Sequence, residues 1–348
     1  MPFPKRSRRL WWVLALGFPV LLFAGFFLWA RSSTLPPSAY ATVTVYDEPP
    51  IAAPETLTVM TYNLGYLSGM TNNRPVARTE RLFADNLAAA ERLLASVRPD
   101  VAAFQEIDFG AARSFDVDQL DALARSGGFH AAARAVNWDK RYVPFPSVRP
   151  SMHFGRIRSG QAVLSRLPIL AHERIVLERP PTPFYYDAFY LDRLAQVVRL
   201  DAGEPLVVIN VHLEAFDAAT RNRQAERILA LYRQYKDAYP VLLLGDFNSV
   251  LPEDRARLPE ELRAELENDH AVEILRAEDG LREAFDGLPA PERTPEAIGT
   301  FPSDAPRLKI DHIFFDAARI RPVEAYVVAG PDQPSDHRAV VMRFVLVR

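Results

Sequence analysis

The side chains in this sequence best equipped for chemistry are oxygen and imidazole donors standing at the ends of apolar runs. Val241-Leu-Leu-Leu-Gly245 has the composition of a strand covered on both faces and stops at a glycine. Asp246 and Asn248 follow at a spacing of two, so an extended backbone points a carboxylate and an amide toward one spot. As a bare tetrapeptide, Gly-Asp-Phe-Asn also fits an ordinary strand-to-turn junction. Other apolar runs end in the same way: Leu57 to Asn63 delivers Asn63, Val101 to Gln105 delivers Glu106, and Leu206 to Val211 delivers His212. Two later segments, Lys309-Ile-Asp311-His-Ile and Pro334-Ser-Asp336-His337, add two carboxylates and a second imidazole. Carboxylate and amide oxygens in a chain with no cysteine suit a hard cation, Mg²⁺ with Mn²⁺ as its substitute, which binds through one or two carboxylates plus a substrate phosphate. Zinc suits the set less well, because His212 and His337 are far apart and have different neighbours.

These residues need rigid supports, and the sequence supplies them in βαβ order. Between the strands ending at Asn63 and Glu106, apolar residues at Leu82, Phe83, Leu87, Ala90, Leu94 and Val97 predict a helix over 78–97, closed by Pro99. That order makes the two flanking strands neighbours in a parallel arrangement. Helices are also expected over 118–126, 218–238 and 259–277, and strands over 129–135, 161–165, 195–200, 206–211, 308–315, 320–328 and 339–347. The stretch from Val136 to Ser159 has aromatics and prolines but no period and reads as a long functional loop. No internal repeat or low-complexity segment is present.

The N-terminus is of another kind. Lys5, Arg6, Arg8 and Arg9 precede an uncharged apolar run from Leu10 to Ala30, long enough to cross a bilayer core of about 20 residues. Basic residues on the leading flank hold that end in the cytoplasm and send the rest of the chain across. The expected organisation is a cytoplasmic basic segment (1–9), a transmembrane signal anchor (10–30), a proline-rich tether (31–54) and a catalytic domain (55–348). The alternative is a cleaved secretory signal, whose apolar core is usually shorter. Beyond the membrane segment, setting aside Lys5, Arg6, Arg8, Arg9 and Arg31 leaves 36 basic against 44 acidic side chains, a formal charge of −8. This balance argues against a general polyanion binder.

Taken in order, Tyr62-Asn63, Gln105-Glu106, Gly160-Gln-Ala-Val-Leu-Ser-Arg166, Asn210-Val-His-Leu213, Gly245-Asp-Phe-Asn248, Ile310-Asp-His312 and Ser335-Asp-His337 resemble the endonuclease/exonuclease/phosphatase superfamily, the deoxyribonuclease I-like fold. The resemblance runs from Leu57 to the C-terminus. It implies a four-layer α/β sandwich of two mixed β-sheets flanked by helices, here preceded by one transmembrane helix, and Mg²⁺-dependent cleavage of a phosphate ester. Carried onto these positions, it implies Glu106 as main metal ligand with Asn63 beside the metal and Asp336 assisting. It makes Asp246 the carboxylate that activates water, and Asn248 the group that orients water or substrate. It also implies His337 as the group stabilising phosphoryl oxygens with Asp311 bonded to it, and His212 as a second phosphate-facing histidine.

His212-Leu-Glu-Ala-Phe-Asp217 is similar to a stretch of neutral sphingomyelinases, and an anchor would hold a lipid-cleaving domain near its substrate. The favoured reading is therefore a membrane-anchored phosphodiesterase or phosphatase acting on phospholipid or another small phosphate ester. An extracytoplasmic nuclease is the second reading, nucleic acid being the less favoured substrate. A catalytically silent binding module is the third, and no feature points to a protein partner. Arg166, His153 and Tyr142 are the candidates for holding substrate. The aromatic segment Pro180 to Tyr190 is expected either to help choose the substrate at the lipid interface or to pack the sandwich edge.

Overall fold

The structure is a computed structural model that describes residues 5–49, 52–288, 292–330 and 332–347, with side chains from residue 17 onward. Two mixed sheets stack face to face. The first is ordered β1 (Ala41–Val45), β4 (Ala131–Val143), β5 (Gly155–Ser165), β3 (Val101–Asp108), β2 (Leu57–Asn63), β13 (Val340–Leu346) and β12 (Ile320–Val327). The second runs β10 (Leu281–Glu283), β11 (Asp311–Asp316), β9 (Val241–Asp246), β8 (Pro205–His212), β7 (Leu194–Asp201) and β6 (Ile169–Val176). Each contains one parallel pair, β2 with β3 and β8 with β9, as a helical crossover requires.

Side-chain alternation divides the core into three sheets of apolar contact. Val59, Ala103, Val208, Leu242, Leu244 and Ile313 meet between the two β-sheets. The opposite parity of the same strands packs on helices: Met60, Tyr62 and Phe104 against α2 (Glu80–Val97) and α3 (Gln119–Ser126), Ile209 and Leu243 against α5 (Ala218–Lys236). Four layers result, α-β-β-α, because strands apolar on both faces must be covered on both. The helices start where local chemistry allows: Thr79 accepts a hydrogen bond from Leu82 N, and Asp217 from Thr220 N.

Between the sheets, just behind one edge, the apolar contact gives way to amides. Gln105 Nε2 donates to Asn210 Oδ1 (2.6 Å) and Thr61 Oγ1 (3.1 Å), while Asn210 Nδ2 donates to Gln196 Oε1 (3.0 Å). All four are fully buried. Such a network costs less than its isolated parts because each member satisfies another, and it fixes the relative register of the two sheets.

Several expectations are corrected. The stretch 136–159 is mostly strand: β4 continues to Val143 and β5 begins at Gly155. Two register shifts in β4 break the alternation that marks a strand, and buried Asn137 and Asp139 interrupt its apolar pattern. The expected helix 259–277 is two short ones, α7 (Glu260–Glu265) and α8 (Ala271–Arg276), beyond a one-turn α6 (Pro252–Arg255). Asp269 causes the break, since its buried carboxylate accepts from Arg221 Nε (3.0 Å) and draws the chain down onto α5. Strand β6 has no counterpart among the expected strands because His172, Glu173 and Arg174 interrupt its alternation.

The proline-rich stretch 31–54 is not simply a tether. Ala41–Val45 is an edge strand on β4, and Asp139 Oδ2 accepts from Thr34 N and Leu35 N, both at 2.9 Å. Residues 5–30 form one helix, α1 (Lys5–Ala30). The expected transmembrane span 10–30 includes residues 10–16, whose side chains lie outside those described. Among the described residues no helix is long and apolar enough to cross a membrane.

Candidate active site

The period of two explains why one edge of the sandwich collects polar groups. Asn63 shares parity with Val59 of β2, Asp246 with Leu242 and Leu244 of β9, His212 with Val208 of β8, and Asp311 with Ile313 of β11; those apolar residues all belong to the contact between the sheets. All four polar side chains therefore point into the cleft where the sandwich opens. Glu106 has the wrong parity, matching Ala102 and Phe104, which face the helices. A bulge between Phe104 and Ile107, with Glu106 itself at φ 49°, re-aims it toward the others. Asn248 is also left-handed, at φ 49°. Two non-glycine residues in this region at one site represent strain of roughly 1–3 kcal/mol each, held by the surrounding bonds. Gly245, at φ 141°, is required where it stands, since a Cβ there would collide with the Val211 carbonyl.

The groups meet closely. Asn63 Nδ2 donates to Asp246 Oδ2 (2.9 Å), and the backbone N–H of Asn248 donates to Asp246 Oδ1 (2.9 Å). His337 Nδ1 is bonded to Asp311 Oδ2 (2.9 Å), leaving Nε2 directed at Asp246 Oδ2, 3.9 Å away. His212 Nε2 lies 3.4 Å from Asp246 Oδ2 and 3.8 Å from Glu106 Oε1. Asn72 Nδ2 donates to Glu106 Oε2 (3.0 Å) and to both oxygens of Asp336 (3.3 Å each). Gly65 backs this last pair; any side chain there would strike Asp336.

Burial and mutual charge set the protonation states. Burial, with Asp311 nearby, raises the Asp246 carboxyl to about 7, against the pull of His337, Asn63 and Asn248. For His337, burial acts downward, but the carboxylates of Asp311 and Asp246 outweigh it and hold the imidazolium up to about 10. Burial and the Arg193 guanidinium push His212 well below the ordinary histidine value, so it is neutral. Burial and the neighbouring Asp336 raise Glu106. At neutral pH the cleft thus carries a cationic His337 beside a carboxyl poised to take up a proton.

Two acidic groupings could attract a cation. Ligand atoms of Asp246, Asp311 and His337 lie within 4.8 Å of one another. That trio already contains its own positive charge, because His337 is bonded to one carboxylate and faces the other. Glu106 and Asp336 share only a neutral amide, that of Asn72, and two carboxylates converging on one amide fit a hard divalent cation better.

Asn63, Glu106, His212, Asp246, Asn248, Asp311, Asp336 and His337 are therefore joined by these contacts into one constellation. The three residues expected to hold substrate are not part of it. Arg166 follows the end of β5 where Ser165 faces Val101, at the start of β3, five residues or about 16 Å from Glu106. Its guanidinium is spent on the carbonyls of Pro99, Gly127 and Gly128 at 2.8–3.1 Å. Tyr142 and His153 bond to each other (2.8 Å), and Tyr142 packs on Phe26 and Trp29 of α1. Conversely, Arg193 and Asn72 were not expected. Arg193 Nη1 is 2.6 Å from His212 Nε2 and is buried with it. The signal for it was the tight β7–β8 hairpin, whose register sets Leu194 opposite His212. Asn72 sits on a turn-rich loop with nothing in its spacing to distinguish it.

Comparison with known proteins bears on the fold and the family. Over 150 residues the chain is 29% identical to a UPF0294 protein of Vibrio cholerae, a match covering 43% of this chain and 43% of that relative, so less than half of the relative's length is spanned. The fold is that of the human Nocturnin catalytic domain solved with bound sulfate (TM-score 0.55, 16% identity, covering 90% of this chain and 100% of that one). It is also that of D. rerio TDP2 complexed with a single-strand DNA product (TM-score 0.56, 16% identity, 84% and 99%). Residues 60–337, nearly the whole sandwich and every member of the constellation, match one family, and with the geometry they carry they establish that the chain belongs to the Endonuclease/Exonuclease/phosphatase family.

Proposed function

We propose that this protein is a membrane-anchored, Mg²⁺-dependent phosphoric ester hydrolase, with its catalytic domain outside the cytoplasm and a phospholipid or other small phosphate ester as substrate. The observation that carries the reading is the pairing of a cationic His337, fixed by Asp311, with the near-neutral Asp246 in one cleft. In this reading Asp246 takes the proton of the attacking water, whose oxygen bonds to phosphorus as the ester oxygen leaves. Asn63 and the Asn248 N–H hold Asp246 in place. His337 Nε2–H donates to a phosphoryl oxygen, and Asp311 on the other nitrogen fixes its tautomer and charge. Arg193 brings a second buried positive charge, and neutral His212 remains a hydrogen-bonding group. Glu106 and Asp336 would hold the divalent cation, which supplies neutralisation of the phosphoryl and leaving-group oxygens.

The anchor rests on the uncharged run Leu10 to Ala30 and its basic flank, which orients the N-terminus to the cytoplasm. The acidic balance beyond it favours a small ester over a polynucleotide. An extracytoplasmic nuclease is the second reading, favoured by the fold shared with a protein solved with single-strand DNA.

The test is phosphate or headgroup release by the full chain in detergent, with Mg²⁺ or EDTA, across sphingomyelin, glycerophospholipids, inositol phosphates and single- and double-stranded DNA. EDTA-sensitive release from a lipid or small ester is expected. Cleavage confined to DNA would transfer the assignment to the nuclease.

A further inference from the structure

Among the described residues the longest run of exposed apolar side chains lies on α1. From residue 17 to 29, α1 presents Phe18, Val20, Leu21, Leu22 and Phe23 at 57–72% exposure, pointing in several directions around the helix. A helix apolar all round demands a non-aqueous surrounding. Its last turn, by contrast, is joined to the domain. Phe27 sits edge-on to Phe189 (5.5 Å) and Phe184 (6.2 Å), and Ala30 is fully buried. Immediately after it, Asp139 accepts from Thr34 N, Leu35 N, Thr34 Oγ1 and Tyr40 OH at 2.6–3.0 Å. Four donors on one carboxylate, across about a hundred residues of sequence, make a fixed joint of what would otherwise swing.

The aromatic segment that α1 touches also reaches the catalytic cleft. Phe184 and Tyr185 belong to α4 (Phe184–Asp187) and are exposed, as is Phe216 nearby. Tyr185 and Phe216, with Pro183, Tyr186 and Tyr190, bound a cavity of about 380 Å³ that also touches Glu214, and Phe184 packs edge-on against Tyr185 (5.7 Å) beside it. Tyr190 OH donates to Glu214 Oε2 (2.9 Å), Arg193 Nε lies 3.4 Å from the same oxygen, and Arg193 contacts His212. The cavity is thus apolar at its mouth and abuts the catalytic network at its base. Its walls contain Glu214 and Asp217 but neither lysine nor arginine, a poor lining for a polynucleotide backbone. Arg31, which follows α1 directly, and Arg141, whose backbone N–H and Nε donate to Ser32 (3.0 Å each), are exposed at the base of α1, where headgroup phosphates would lie.

We infer that the rim formed by Phe184, Tyr185 and Phe216 is a lipid-docking surface, held by the Asp139 joint so that the catalytic cleft opens onto the same leaflet from which α1 emerges. The inference rests on the anchored hydrolase proposed above and adds its orientation: the ester is drawn from the bilayer through the aromatic cavity, not met in solution. The occupant is lipid because the rim is continuous with α1 through Phe27, Phe184 and Phe189.

The chain has no cysteine, so single labels are clean. The full chain carrying Tyr185→Cys, Phe216→Cys or, on the far edge strand β12, Glu324→Cys is labelled with an environment-sensitive fluorophore. It is then reconstituted into phosphatidylcholine/phosphatidylglycerol vesicles containing a nitroxide lipid. Blue-shifted, quenched emission at 185 and 216 with neither change at 324 is expected. Water-like, unquenched emission at 185 and 216 in protein that floats with the vesicles would overturn the docking surface while leaving the anchor intact. Failure to float would overturn the anchor and the inference together. A shift of both labels by a single-stranded oligonucleotide, and not by vesicles, would reassign the surface to nucleic acid.

Discussion

Asp311 Oδ2 lies 2.9 Å from His337 Nδ1, and both groups are buried at the mouth of the cleft. The pair sets the pH range of the site. Asp246, at about 7, must lose its proton to act as base, and His337, at about 10, must keep its own to act as cation. The pH profile of kcat/KM should therefore rise through about 7 and fall near 10, the limbs being properties of the coupled group. Asp311 raises both values, so Asp311→Asn should move both limbs to lower pH and reduce kcat/KM roughly 10²–10³-fold. An unmoved alkaline limb would mean that His337 is not the cation.

Arg193→Gln keeps a donor beside His212 but removes the charge that depresses it. The His212 resonance in NMR should then titrate at higher pH than in the parent. Turnover should fall by about 10² if the guanidinium serves the developing phosphoryl charge.

Asn72 holds Glu106 and Asp336 through a single amide. Its removal in Asn72→Ala should weaken Mg²⁺ binding measured by calorimetry by roughly 10–100-fold, as outer groups that orient ligands do. Unchanged affinity would place the cation elsewhere, with the Asp246, Asp311 and His337 trio as the next site to test.

Asn210→Leu removes a member of the amide layer between the sheets and strands Gln105 and Gln196. Each buried group left without a partner costs about 1–3 kcal/mol, so the midpoint of urea unfolding should drop clearly. A neutral effect would mean that the layer repacks.

Much of this site was legible because it obeys the period of two. Asn63, His212 and Asp246 end apolar strands and Asp311 begins one, and the parity of those strands aims them with no long-range information needed to see it. Glu106 was found by its position after a strand, but its direction comes from a bulge that parity would have predicted wrongly. Arg193 depends on the exact register of the β7–β8 hairpin and Asn72 on the packing of a turn-rich loop against distant Glu106 and Asp336, neither of which a single sequence prints. Arg166 misled because an arginine beside a motif looks free, whereas here three carbonyls consume it. The tether and the stretch 136–159 differ from expectation for a related reason: β1 is an edge strand seen only by its pairing with β4, and β4 is bulged against β5 and carries buried polar residues.

The measurement that bears most directly on the central claim is hydrolysis of bis(p-nitrophenyl) phosphate by the full chain in detergent, with Mg²⁺ and with EDTA, for the parent and Asp246→Asn. The geometry predicts Mg²⁺-dependent release in the parent, abolished by EDTA, and a loss of about 10²–10⁴-fold in the variant with its thermal unfolding midpoint retained. Equal rates in parent and Asp246→Asn, or a rate indifferent to EDTA, would contradict it.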